Sequence, residues 1–418
     1  MAVPAHAAAP PEDVAVGTML AARTDPAVQL LMMQYGATME IPSIKPTRAF
    51  RALFDKAEKY AKAGRIPADR QSQVKWVLKT AAADADRYLA AAKPYRIVKV
   101  KPGGKGPSGV CTGAWVTPQG HLLTAAHCVT ETKEALRSTL GQFALPKIVN
   151  ADVKAFMAEA TKLAQPDDGM VKLATKLFGE FDAKHMRLHD VSRQIVALRP
   201  DGKGKAAGTR LRVLSKGKAW PGADYALLKA EGVRNLPTVP FGQDGDVRVG
   251  ETMYINGYPG IVTSSLALDF QSKLRPTLTE GVYSARRTSI FGVPYIQTQA
   301  SVYGGNSGGP VFDKKGKVVG IVIARLLEDR VGGETETTGL VLPVDVVKKK
   351  LAAAGVKPVL SKTSRVYYKA LDDFFAHRYR AALHGFGKVL ALYPGHPYVR
   401  EYIAEAKRAI AAGRDRTP

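Results

Sequence analysis

The spacing of apolar positions changes several times along the chain. Between about 24 and 92 it reads as helical. In "PTRAFRALFDKAEKYAKAG" Phe50, Leu53, Phe54 and Ala57 share one face, and Gly64 supplies a stop. "PADRQSQVKWVLKTAAADADRYLAAA" continues in the same style after Pro67. From Tyr95 the segments shorten. "YRIVKVKPG" and "GVCTGAWVTPQGHLLTAAHCV" are rich in β-branched residues and punctuated by Gly and Pro, which predicts strands. Helical spacing returns in "TETKEALRSTLGQF", "NADVKAFMAEATKLA" and "DGMVKLATKLFGEFDAKHMRL", so a helical block at about 131–190 interrupts the β pattern. Strands resume at "SRQIVALRP", "TRLRVLS" and "DYALLKAEG" and continue through "KVVGIVIAR" and "TGLVLPV". "VDVVKKKLAAAG" is then a helix that Gly355 ends, and 361–418 is helical again. Three regions follow: a helical region 1–93 with 1–12 disordered, a mainly β domain 94–355 carrying the insertion, and a helical region 361–418.

Composition narrows this picture only a little. A chain of 418 residues with 45% hydrophobic positions holds two or three packed units and cannot be a disordered polymer. A net charge of +24 favours weak contact with polyanions or simply solubility. The bases are dispersed, as in "IVKVKPGGKG", without interleaved aromatics, so specific nucleic-acid recognition is not expected. There is no run of about 18 apolar residues, and no transmembrane segment is expected. The start "MAVPAHAAAPPEDVAVG" lacks an apolar stretch but is Ala-rich, like the tail of a cleaved signal peptide. The expected location is secreted or periplasmic, with the signal absent or truncated; the cytoplasm is the alternative.

Candidate chemistry sits on the β segments. "LTAAHCV" places His127 after an apolar strand, "ADYALLKAE" places Asp224 at the head of one, and "GGNSGGP" places Ser307 in a glycine turn. Serine is a weak nucleophile until an imidazole takes its proton, and His127 is the candidate base. Asp224 would fix the imidazole's tautomer and stabilise its cation. The amides of Gly305 and Ser307 would share one developing oxyanion, which demands a tight turn clear of side chains. Asp201, in the turn "RPDGKG", and Asp190, at the end of the insertion, are the other acids weighed. "KHMRLHD" sets His185 and His189 four apart on one helical face beside Asp190; zinc is one reading and solvated histidines the other, favoured because no glutamate base completes a metalloenzyme pattern.

"TAAHC" and "GNSGGP" resemble the two signature stretches of the trypsin/chymotrypsin family of double-barrel serine proteases. The resemblance runs from about 108 to 347, leaving out the insertion. "FGQDGDVRVGETMYINGYPG", "LTEGVYSARR" and "YIQTQASVYGGNSGGPVFDKKGKVVGIVIA" are similar to the bacterial HtrA/Deg type in order and loop length. The resemblance implies a mainly β core of two six-stranded antiparallel barrels. It implies endopeptidase action on protein or peptide substrates through an acyl-enzyme, with no metal or organic cofactor. In animal trypsins a cysteine after the catalytic histidine is bonded to one on the preceding strand. That implies a Cys111–Cys128 disulfide and an oxidising compartment, against the alternative of two buried thiols. About a hundred residues separate His127 from Asp224, long for this fold, and discounting the insertion restores an ordinary spacing, so Asp224 is preferred to Asp201 and Asp190. No PDZ module and no activation site with an Ile-Val start can be seen, so peptide-sensing allostery and zymogen cleavage are not implied. HtrA relatives often trimerise, which leaves an oligomer open.

Ser301 stands six residues before Ser307, where trypsin-like members place an acid for basic side chains. With Ile323 and Ala324 on the strand expected to line the pocket, an uncharged residue before the cut is expected. The tail resembles a tetratricopeptide (TPR) repeat in Ala370, Tyr379, Ala382, Phe386 and Pro394, with Asp373 where an aromatic is usual and Phe374 beside it. A repeat would offer a protein-docking surface; a generic hairpin packed on the protease is the other reading. Two further readings of the whole chain stand beside an active peptidase: a latent protease-fold binder of the cell envelope, and a polyanion-binding envelope protein.

Overall fold

A computed structural model describes residues 14–103, 106–201, 205–329 and 335–418, without the side chains of 324–329 and 335–337. The segment 1–12, expected to be disordered, lies outside the described residues. After α1 (Val16–Thr24) comes β1 (Val28–Pro46), a strand where helix is expected. Leu31, Met33, Tyr35, Ala37, Met39 and Ile41 are all buried, a period of two that the surrounding helical segments mask. Then follow α2 (Arg48–Lys62), α3 (Arg70–Ala82), the single turn α4 (Ala85–Tyr88) and β2 (Leu89–Val100). Thr47 caps α2 by accepting from Phe50 N, and Asp69 caps α3 by accepting from Ser72 N at 2.8 Å. β3 (Ser108–Trp115) and β4 (His121–Thr124) precede the insertion, which consists of α5 (Lys133–Ala160) and α6 (Asp168–His185). The β elements resume as β5 (Arg187–Pro200), β6 (Ala206–Lys216), β7 (Ala226–Lys229) and β8 (Thr252–Gly257). After the short turn α7 (Gly260–Thr263) come β9 (Thr277–Thr288), β10 (Pro294–Thr298), β11 (Pro310–Phe312), β12 (Val318–Asp329) and β13 (Thr335–Pro343). The chain ends in α8 (Val344–Ala353), α9 (Lys362–Phe375), α10 (Tyr379–Leu392) and α11 (Val399–Ala411).

The core is mainly β, in two sheets. One is a closed antiparallel barrel of six strands, β10-β13-β12-β11-β8-β9, filled by Met253, Ile255, Ile296, Val311, Val322 and Val341. The other runs β2-β1-β3-β4-β7-β6-β5, with a further β1–β5 pairing. It has seven strands rather than six because β2 pairs antiparallel with β1, from Ala37↔Val100 to Pro46↔Leu89.

The chain divides into two compact units. The first comprises Met1–Met33, Gly109–Thr130 and Ile195–Pro418; the second comprises Gln34–Ser108 and Glu131–Gln194. Helices α2 to α4 and the insertion, remote in sequence, therefore belong to one body, whereas α1 belongs to the first unit. Its centre is aromatic: Phe156 stands edge-on to Phe50 at 6.4 Å and to Phe178 at 5.6 Å. Arg96 pairs there with Asp152 at 2.6 Å and with the fully buried Asp182 at 3.4 Å. In the first unit, α9 and α10 form a helical hairpin with α11 beside it, around Ala370, Phe374, Ala382 and Phe386. A Cβ at Gly385 would lie 2.7 Å from the Ala370 Cβ, so the close approach of α9 and α10 requires glycine there.

Candidate active site

Ser307 lies in the connection between β10 and β11, and that loop's shape is set by glycines. Gly305 has φ +99° and Gly308 φ +80°, conformations that L side chains rarely adopt. Space forbids a side chain as well: a Cβ at Gly308 would lie 2.1 Å from Thr124 Oγ1, and one at Gly305 2.4 Å from the Tyr258 carbonyl.

Three neighbouring segments hold the loop. Thr112, fully buried in β3, donates its amide to the Ser307 carbonyl at 2.9 Å and its hydroxyl to the Gly305 carbonyl at 2.8 Å. The same hydroxyl accepts from Tyr258 N at 2.9 Å. Thr124 donates to the Thr112 carbonyl at 2.7 Å. Gly260 N donates to the Gly304 carbonyl at 2.5 Å. In a trans peptide the C=O and N–H point opposite ways, so this bond turns the Gly305 amide away from Gly260. Among the described residues, neither the Gly305 nor the Ser307 amide has a hydrogen-bond partner.

Strand pairing brings His127 to Asp224. β4 pairs with β7, with Thr124 opposite Ala226; His127 follows three residues after the one and Asp224 precedes the other by two. Asp224 is fully buried and accepts three N–H groups: His127 N at 2.9 Å, His127 Nδ1 at 2.8 Å and Trp220 N at 3.1 Å. Those three bonds hold the carboxylate in one orientation. Asp201 instead accepts from Lys205 N in its own turn at 2.9 Å. Asp190 belongs to the second unit and accepts from Thr38 at 3.2 Å. Behind the acid, Tyr295 stacks edge-on against Trp220 at 4.8 Å and donates to the Gly222 carbonyl. Burial, and after it the Asp224 charge, pushes the Tyr295 hydroxyl's pKa up, so it remains a donor. The Ser307 hydroxyl makes no hydrogen bond among the described residues, and His127 Nε2 faces Cys128 Sγ at 3.9 Å.

Cys111 and Cys128 are bonded to each other, tying β3 to the turn that carries His127. His185 and His189 do not share a helical face, because α6 ends at His185 and β5 begins at Arg187. They meet different carboxylates, His185 with Asp86 at 2.7 Å and His189 with Glu40 at 3.1 Å. Ser301 is exposed, its carbonyl accepting from Thr279 at 3.4 Å; Ile323 is buried in β12, and the Ala324 side chain lies outside the described residues. Sequence reasoning missed Thr112, Thr124, Tyr258 and Gly260. Thr112 had one signal, its place beside Cys111 in "VCTGAW".

Residues 111–321 match the model of the family described as "Trypsin-like peptidase domain". The chain is 41% identical over 101 residues to a "Probable periplasmic serine endoprotease DegP-like" of Pseudomonas putida, covering 24% of this chain and 19% of that protein. It is 36% identical over 108 residues to "Serine protease HTRA2, mitochondrial" of Bos taurus, covering 24% of this chain and 21% of that protein. The chain thus spans about a fifth of the length of the curated relatives it matches. Among solved structures, "HtrA-type protease AlgW with decapeptide" aligns at a TM-score of 0.40 and 17% identity, over 82% of this chain and 67% of that one.

Proposed function

The chain belongs to the trypsin-like peptidase family, and from that premise we propose that it is an HtrA-like serine endopeptidase acting on proteins or peptides through an acyl-enzyme. Ser307 Oγ attacks the scissile carbonyl carbon while its proton passes to His127 Nε2. The His127–Ser307 bond forms when substrate enters, as catalytic hydrogen bonds commonly do. Asp224, held by three N–H groups, keeps the Nδ1 proton in place and stabilises the imidazolium. The carbonyl oxygen, now negative, accepts from the Gly305 and Ser307 amides. Collapse breaks the C–N bond, the amine leaves with the proton from His127, and water repeats the sequence to release the acid. No step calls on a metal or organic cofactor. The observation that carries the reading is the bond from His127 Nδ1 to the buried Asp224 together with two serine-loop amides that have no partner among the described residues.

The domain proposed for this chemistry is 94–355, with the insertion at about 131–190 and one further strand, β1, from the N-terminal region. An uncharged side chain before the cut suits Ser301 and Ile323, and cleavage profiling of a peptide library that showed Arg/Lys preference would refute it. The compartment proposed is the periplasm or the exterior, where the disulfide persists. The C-terminal hairpin is proposed as a TPR-like docking surface for a protein partner, since Ala370, Tyr379, Ala382 and Phe386 are buried at that repeat's offsets. Weak, salt-sensitive polyanion contact fits the dispersed bases.

A fluorophosphonate probe tests the central claim. The natural chain should label and Ser307→Ala should not. Equal labelling removes Ser307 as nucleophile; no labelling of either marks a latent binder. Asp224→Asn should lower kcat by roughly 10⁴-fold, the size of the effect in trypsin-type triads.

A further inference from the structure

We propose that a cavity in the first unit, beside α9 and α11, binds a small organic ammonium ion. The cavity holds about 170 Å³ and is lined by Asp25, Arg275, Tyr367, Tyr398, Glu401 and Tyr402 among others. This proposal does not depend on the peptidase reading.

Charge selects the class of ligand. Three carboxyl groups, Asp25, Glu401 and Glu405, face one guanidinium, in a chain of net charge +24. Arg275 is already engaged: it pairs with Glu401 and lies over the Tyr398 ring at 5.3 Å. That pair shows the combination the cavity favours, a cation against an acid and an aromatic face. Asp25 has no such partner. One of its oxygens accepts from Asn256 Nδ2 at 2.8 Å, and the other has no donor among the described residues. Burial pushes its carboxyl up to about 7, against pulls from Asn256 and Arg275.

An independent observation points the same way. Tyr367 lines the cavity and is 1% exposed, and its hydroxyl has no hydrogen-bond partner among the described residues. A buried hydroxyl left unpaired is costly unless something occupies the space. The Tyr398 and Tyr402 hydroxyls also lack partners among the described residues. An ammonium group carries three donors and no acceptor, so it suits a free carboxylate oxygen and tyrosine oxygens. At about 30 Å³ per water the cavity has room for five or six waters, enough for an amine of four or five heavy atoms whose methylenes lie on the rings.

Titration calorimetry of the full chain with n-butylammonium chloride, and with sodium n-butyrate as the anionic counterpart, tests this. The amine should bind saturably at one site and butyrate should not. Tyr367→Phe and Asp25→Asn should each weaken the amine about tenfold or more, as removal of a hydrogen bond to a charged group does. Tyr367→Phe removes a hydroxyl without a partner, so its unfolding temperature should not fall, and it decides the matter if Asp25→Asn does not fold. Absence of saturable amine binding, binding of butyrate instead, or variants that bind as the natural chain does would each overturn the proposal.

Discussion

Thr112 is the residue on which most of the serine loop depends. Its amide and hydroxyl together hold two carbonyls of that loop and receive the Tyr258 amide. Thr112→Val keeps the shape and removes the hydroxyl, leaving a buried C=O and a buried N–H unpaired. The expected cost is about 1–3 kcal/mol in denaturant unfolding. Because Gly305 then shifts, kcat should fall more than KM rises. Gly308→Ala is a harsher test: φ +80° and a Cβ 2.1 Å from Thr124 Oγ1 add strain to overlap. It should destabilise the first unit by at least about 3 kcal/mol, seen as a lower denaturation midpoint. The glycines of this loop were legible in the sequence because "GGNSGGP" states them locally. Thr112 was not, since its role exists only once β3 lies beside residues almost two hundred positions away.

At the scale of elements, two packings carry opposite pH signatures. Asp182 on α6 is pushed from 3.8 to about 7, first by burial, then modified by the Arg96 cation, which lowers it, and Asp152, which raises it. Its folded pKa exceeds the unfolded value, so the folded state binds the extra proton between about 4 and 7. The second unit therefore loses stability as pH rises through that window, with a slope of up to about 1.4 kcal/mol per pH unit. Asp182→Asn should flatten this part of the stability profile, read by hydrogen exchange in α5 and α6. His396, between α10 and α11, is buried and neutral. Burial, with Arg199 and Arg400, depresses it from 6.5 to about 3. Here the unfolded chain binds the proton first, so α9–α11 should lose exchange protection as pH falls from about 6.5 towards 3. If protection of α9–α11 stayed constant from pH 7 to 5, this account of His396 would be wrong. The α9–α10 hairpin itself could be read from its apolar period, whereas β1 could not. Its alternation Leu31, Met33, Tyr35, Ala37, Met39 and Ile41 is real, but apolar residues such as Met32 on the other face blur it, and helical segments follow at once.

Over the whole molecule, the disulfide and the division into units set the terms of stability. The Cys111–Cys128 bridge closes a loop of 17 residues, for which chain entropy predicts about 3 kcal/mol. Reduction should therefore lower the unfolding temperature of the first unit, and thiol titration of unreduced protein should find no reactive cysteine. Two reactive cysteines would sink this expectation. The sequence by itself determined the mainly β core, the helical insertion and tail, and the His127, Asp224 and Ser307 candidates. Each of those rests on local spacing or on residue types at fixed offsets, which a single pass along the chain can read. Only the tertiary structure decided that β1 is a strand and that 34–108 and 131–194 form one body. It alone gathered Asp25, Tyr367 and Glu401 around one cavity. Those outcomes depend on which distant strands pair and which buried groups are left without partners, and neither leaves a periodic mark on the local sequence.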